Sequence, residues 1–81
     1  MAKTFHATIA RVGENLFDGE VLSVTLPGEE GVFEVLSGHE AFVTPLIKGL
    51  AKVTKEDGTQ ESFPIEKGIA EVSHNQVTVL L

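Results

Sequence analysis

Apolar residues along this chain recur at every second position. Phe5, Ala7 and Ile9 alternate with His6 and Thr8, and near the end Val77 and Val79 flank Thr78. A period of two carried by β-branched and aromatic residues reads as half-buried strand. Eight glycines and three prolines cut the rest into pieces too short for a helix. The pattern predicts strands near Lys3–Val12, Phe17–Leu26, Val32–Leu36, Ala41–Ile47, Leu50–Lys55, Thr59–Ile65, Ile69–Ser73 and Gln76–Leu81.

The turn chemistry agrees. Glu56-Asp57-Gly58 is the best hairpin turn, because Asp-Gly supplies a positive φ. His74-Asn75 is a second, with Asn tolerating the left-handed region. Gly19 inside a strand predicts a bulge that switches the inward face from Phe17 to Leu22, Val24 and Leu26. Pro45 and Pro64 belong at edges or bulges, because neither donates to a ladder. Short strands with frequent turns predict an all-β fold, a sandwich or flattened barrel, in one domain spanning 1–81.

Composition narrows the function more than the fold. At 81 residues the chain is near the lower limit for a self-sufficient core, which predicts marginal stability and a benefit from a folded-state partner. It has no cysteine, so thiolate chemistry and disulfides are excluded. A net charge of −6, with the six cations scattered, argues against a nucleic-acid surface. No apolar run reaches membrane-spanning length.

Two turns hold the candidate chemistry. Pro27-Gly28-Glu29-Glu30-Gly31 pairs carboxylates with flexible glycines, but calcium needs more oxygen ligands, and glycosidase carboxylates need a cleft between them. Its charge has the wrong sign for phosphate. It reads as a solvated turn or a protein-contact loop. His39, beside Ser37 and Glu40, invites a triad reading, yet contiguous residues on one turn rarely converge on one reacting atom. Packing or interface work suits that imidazole better. His6, His39 and His74 lack metal-ligand spacing. No catalytic, cofactor or metal site is expected. Phe33, Phe42 and Val43 adjoin the two turns and fit either core or an exposed contact patch.

The run FDGEVLSVTLPGEEGVFEVLSGHEAFVTPLIKGLAKV, followed by GIAEVSHNQVTVLL, resembles the N-terminal β-sandwich domain of the epsilon subunit of proton-translocating ATP synthase, called delta in mitochondria. The matching positions are Phe17, Gly19, Val21, Val24, Pro27, Gly28, Glu30, Gly31, Val35, Gly38 and His39, then Gly68, Glu71, Val72, Asn75, Val77, Val79 and Leu80. They are spread over essentially the whole chain.

The resemblance implies a flattened sandwich of about ten strands and a non-catalytic rotor subunit in the central stalk. Its partners would be the gamma subunit and the c-subunit ring, coupling proton flow to ATP synthesis. Gly28, Glu29, Glu30, Gly31 and Val32 would face the c ring; His39, Phe42 and Val43 would face gamma. These are two separate docking surfaces. Membrane association on the cytoplasmic face of a bacterial plasma membrane would come only through the complex. No homo-oligomer is expected. Glu34, Ser37, Glu40-Ala41 and Lys67 depart from the family pattern, which usually has Gly, Pro, Ala-Pro and Gly there. The sequence stops at Leu81, before the helical hairpin of most members, so inhibition or ATP sensing by such helices is not expected. The alternative is a free-standing sandwich binding a small molecule or a protein. Zero Trp and Tyr disfavour sugar recognition.

Overall fold

The computed structural model describes residues 3–81. Eight strands follow in chain order: β1 (Phe5–Arg11), β2 (Glu14–Gly28), β3 (Gly31–Leu36), β4 (Phe42–Leu46), β5 (Gly49–Lys55), β6 (Gln60–Ile65), β7 (Gly68–Ser73) and β8 (Gln76–Leu80). No helix occurs among the described residues. The alternation therefore predicts every strand to within a few residues. β2 starts three residues earlier than its predicted span and runs two residues past it.

The pairings run β1-β8-β7-β4-β2-β5-β6, with β3 on β2 and an additional β1–β2 ladder. Two layers result, and β2 belongs to both. Its first half pairs with β1, from Arg11↔Glu14 to Phe5↔Val21. Its second half lies between β3 and β5. All pairs are antiparallel except β1 with β8. The resemblance implies about ten strands where eight are found, because β2 bends from one layer into the other without a break.

That bend uses a bulge, though not at Gly19. Gly19 sits in regular register opposite Ala7. The extra residue is Leu22, since Val21 faces Lys55 while Ser23 already faces Thr54. One inserted residue reverses the inward parity. Val21, Val24 and Leu26 are consequently all buried, while Leu22 is only half-buried. A second slip lies at Leu16, between Ile9↔Phe17 and Ala10↔Asn15.

The core between the layers is built from Phe5, Ile9, Val21, Val24, Leu26, Val35, Val53, Ile65, Val72, Val77 and Val79, all almost wholly buried. No charged or polar residue is buried with them among the described residues. The two prolines behave as their missing donors require. Pro64 lies on outermost β6, and β4, which carries Pro45, meets β2 at the single pair Gly28↔Leu46. The Asp57-Gly58 turn forms as predicted: Gly58 takes φ 90°, its N–H donates to Lys55 O at 2.9 Å, and Lys55 N–H donates to Thr59 O. Thr59 also donates to the Asp57 carboxylate from its backbone and its hydroxyl, which lowers that carboxyl below its ordinary value. Asn75 adopts φ 58° in the β7–β8 turn.

Candidate interface groove

The β2–β3 hairpin narrows to a two-residue turn, Glu29-Glu30, flanked by the pair Gly28↔Gly31. The turn is anchored to β4 by two backbone bonds: Glu29 N–H donates to Pro45 O at 3.1 Å, and Ile47 N–H donates to Pro27 O at 2.9 Å. Both carboxylates are left in solvent. Gly28 is buried, and here the bare Cα is required. A Cβ would stand 2.8 Å from the Gly31 carbonyl and 2.8 Å from the Phe33 ring. The ring therefore settles over the glycine, edge-to-face with Phe42 at a centroid distance of 5.6 Å.

A groove of about 550 Å³ opens above this floor. Gly28 to Phe33 form one wall, and Phe42 to Pro45 form the other. Its rim is apolar where Val32 and Val43 stand out, 74% and 60% exposed, and acidic at Glu29 and Glu30. The acidic turn and the Phe42-Val43 segment, expected as separate surfaces, thus line one concavity. What joins them is the approach of β4 to the end of β2, a tertiary contact with no local sequence signal.

His39 lies outside that groove. Its Nε2 is 2.9 Å from the Ser73 carbonyl on β7, and its Nδ1 contacts the Leu36 carbonyl on β3. Its ring packs edge-on against Phe5 at 5.4 Å. A neutral imidazole donates to one of these carbonyls at a time, an imidazolium to both. Both nitrogens are spent on backbone, so a Ser37-His39-Glu40 triad has no geometry to work with.

Of the departures from the family pattern, Glu34, Glu40, Ala41 and Lys67 are exposed and Ser37 is half-buried. Glu34 stands on β3, opposite Thr25.

Sequence reasoning missed two arrangements. His6 sits between two carboxylates of β2, with Nδ1 3.1 Å from Glu20 and Nε2 bonded to Asp18. The Glu20 and Asp18 bonds raise its pKa above the ordinary 6.5. The signal was the His6↔Glu20 and Thr8↔Asp18 register, which only the paired sheet reveals. The second is an apolar row across the same outer face, where Ala10, Leu80, Ile69 and Pro45 stand opposite one another in successive strands. The three histidines do not form a metal site, and no group of three or more His, Asp or Glu side chains among the described residues is arranged to hold a metal ion. A smaller hollow of about 310 Å³, lined by Arg11, Pro64, Glu66, Lys67 and Leu81, mixes both charges.

Comparison with known proteins gives the groove its context. The model of a family described as ATP synthase, Delta/Epsilon chain, beta-sandwich domain matches residues 4–81. The ATP synthase epsilon chain of Sulfurimonas denitrificans is 47% identical over 66 residues, 82% of this chain and 51% of that protein. That of a Bradyrhizobium species is 42% identical over 77 residues, 95% of this chain and 56% of that protein. The chain thus spans about half the length of the curated relatives it matches. Among solved structures, a chain of the Euglena gracilis mitochondrial ATP synthase assembly described as OSCP/F1/c-ring superposes with a TM-score of 0.89 at 29% identity, covering 95% of this chain and 49% of that one. A chain of the Tetrahymena thermophila mitochondrial ATP synthase central stalk and c ring shares the fold, with a TM-score of 0.75 at 15% identity over 96% of this chain and 63% of that one. A match over nearly every residue, on a two-layer sheet of the same shape, leaves one assignment: the chain belongs to the family of the β-sandwich domain of the ATP synthase delta/epsilon chain.

Proposed function

We propose that this chain is a non-catalytic central-stalk subunit of ATP synthase, seated between the gamma subunit and the c-subunit ring and turning with them as proton flow is coupled to ATP synthesis. The observation that carries the reading is the groove, which sets the exposed carboxylates of Glu29 and Glu30 beside the exposed apolar side chains of Val32, Phe42 and Val43. Such a surface docks a partner rather than transforming a substrate. Family membership supports the same reading.

Glu29, Glu30, Gly31 and Val32 face the c ring, above the buried Gly28, with the two carboxylates meeting cationic loops. Phe42 and Val43 supply the apolar contact to gamma. His39 serves that contact by fixing the strand ends beside them, since its nitrogens already engage Leu36 and Ser73. The chain then sits on the cytoplasmic face of a bacterial plasma membrane through the complex. No helix of the described residues is long and apolar enough to cross a membrane itself.

The double charge reversal Glu29→Lys, Glu30→Lys tests this directly. The variant should keep its circular-dichroism spectrum and melting temperature, because both side chains are exposed. Its retention by purified c ring, measured in pull-down, should fall about tenfold or more. Undiminished retention would refute the assigned contact.

A further inference from the structure

β3 pairs with β2 along one side, and among the described residues it has no strand partner along the other. The phase of its ladder identifies the backbone groups left over. Gly28 and Gly31 flank the two-residue turn and so form a hydrogen-bonded pair, after which bonded and non-bonded pairs alternate. Pro27, which has no N–H, falls in the next, non-bonded pair opposite Val32. Its carbonyl accordingly turns away from β3 and accepts from Ile47. By the same alternation Val32, Glu34 and Leu36 point their N–H and C=O groups outward. The Leu36 carbonyl meets His39 there, while the others face open space beside the groove.

This edge is unguarded. β6, at the far side of the same layer, carries Pro64, a residue that blocks strand addition. β3 reads GVFEVL, with neither Pro nor Lys. Its Val32 and Leu36 side chains are 74% and 53% exposed.

Charge selects the occupant. Glu34 stands in the middle of the edge, Glu29 and Glu30 at its start, and Glu40 beyond its end, all exposed. Across this layer the nearest cation in register is Lys52, two strands away behind Thr25. A second copy of β3 pairing antiparallel would bring two Glu34 side chains together and set acidic turns against Glu40, which is repulsive. We infer that the open edge of β3 is a strand-addition site for an extended segment of the gamma subunit that alternates apolar and basic side chains. The inference rests on the rotor reading above and specifies its mode of attachment.

Amide exchange followed by NMR on the labelled chain, alone and bound to purified gamma subunit, decides the matter. Alone, Phe33 and Val35 amides should be protected and those of Val32, Glu34 and Leu36 should exchange fast. In the complex the latter three should slow by about tenfold or more. A complex that forms while those three amides keep their free rates overturns strand addition and leaves the rotor reading intact. No complex at all overturns both. Slowing produced merely by concentrating the chain identifies a second copy as occupant and overturns the basic partner. Glu34→Pro removes one outward donor without touching the β2 ladder and should weaken the complex about tenfold. If that variant does not fold, Glu34→Lys keeps the backbone, reverses the charge and should weaken it comparably. Full affinity in the folded variant overturns the proposal.

Discussion

His6 is held between Glu20 and Asp18 on the outer face of the β1–β2 ladder, and the two carboxylates stabilise its protonated form. Its pKa in the folded chain lies above the unfolded value of about 6.5. The stabilisation is therefore complete below pH 6.5 and is lost as pH rises through the folded value. Melting temperature should decline over that interval in the parent chain, and the decline should be shallower in His6→Gln. Equal slopes for the two proteins would show that the cluster contributes nothing. The effect should be modest and weaken with salt, because all three side chains are well exposed. None of this was legible in the sequence, where His6 is one polar position of an alternating strand. The fate of His39 was partly legible. A turn imidazole beside Phe-rich segments reads as packing, but its two carbonyl partners come from strands that only the fold places side by side.

At the scale of elements, the alternation of apolar residues was enough to place the strands, because a strand with one buried face must show it. The bulge was not. In Val21-Leu22-Ser23-Val24 three of four residues are apolar, so either Val21 or Leu22 satisfies an inward position locally. Which one goes inside is decided by β5, which must align Val53 with Val24. Leu22→Ala should cost about 1 kcal/mol, as a half-buried side chain does. Deleting Leu22 removes the parity switch and turns either Val21 or both Val24 and Leu26 outward. That variant should not fold cooperatively. A sigmoidal urea transition in the deletion variant, followed by circular dichroism, would contradict the bulge as the source of the inward pattern. The groove was equally hidden, because Phe33 and Phe42 meet across a turn whose course only the β4–β7 pairing determines.

For the whole molecule, the decisive feature is a closed circuit of pairings. β1, β8, β7, β4 and β2 form a ring of ladders, while β3 and β5 hang from the shared β2 and β6 from β5. β1 stands in that ring with neighbours from both ends of the sequence, so a cavity there weakens both ladders at once. Ile9→Ala should cost about 2–5 kcal/mol, read from urea denaturation, and in a domain this small that is enough to populate the unfolded state at room temperature. Saturating gamma subunit, the proposed partner, should restore a sharp transition, because a ligand of the folded state stabilises it in proportion to the logarithm of one plus the ratio of ligand concentration to Kd. Failure of any partner to raise the melting temperature would argue against obligate association.

A domain near the lower size limit for a self-sufficient core gains from an added staple, and the sequence contains no cysteine to supply a disulfide. The His39 imidazole fills that position. Its two ring nitrogens contact the Leu36 carbonyl in one layer and the Ser73 carbonyl in the other, residues separated by nearly half the chain, and its ring rests on Phe5 of the core. The link is made of a hydrogen bond and ring packing, so it is indifferent to redox potential and re-forms without an oxidant or isomerase. A subunit stapled this way can be assembled, strained and reassembled in a reducing compartment without losing the alignment of its two sheets.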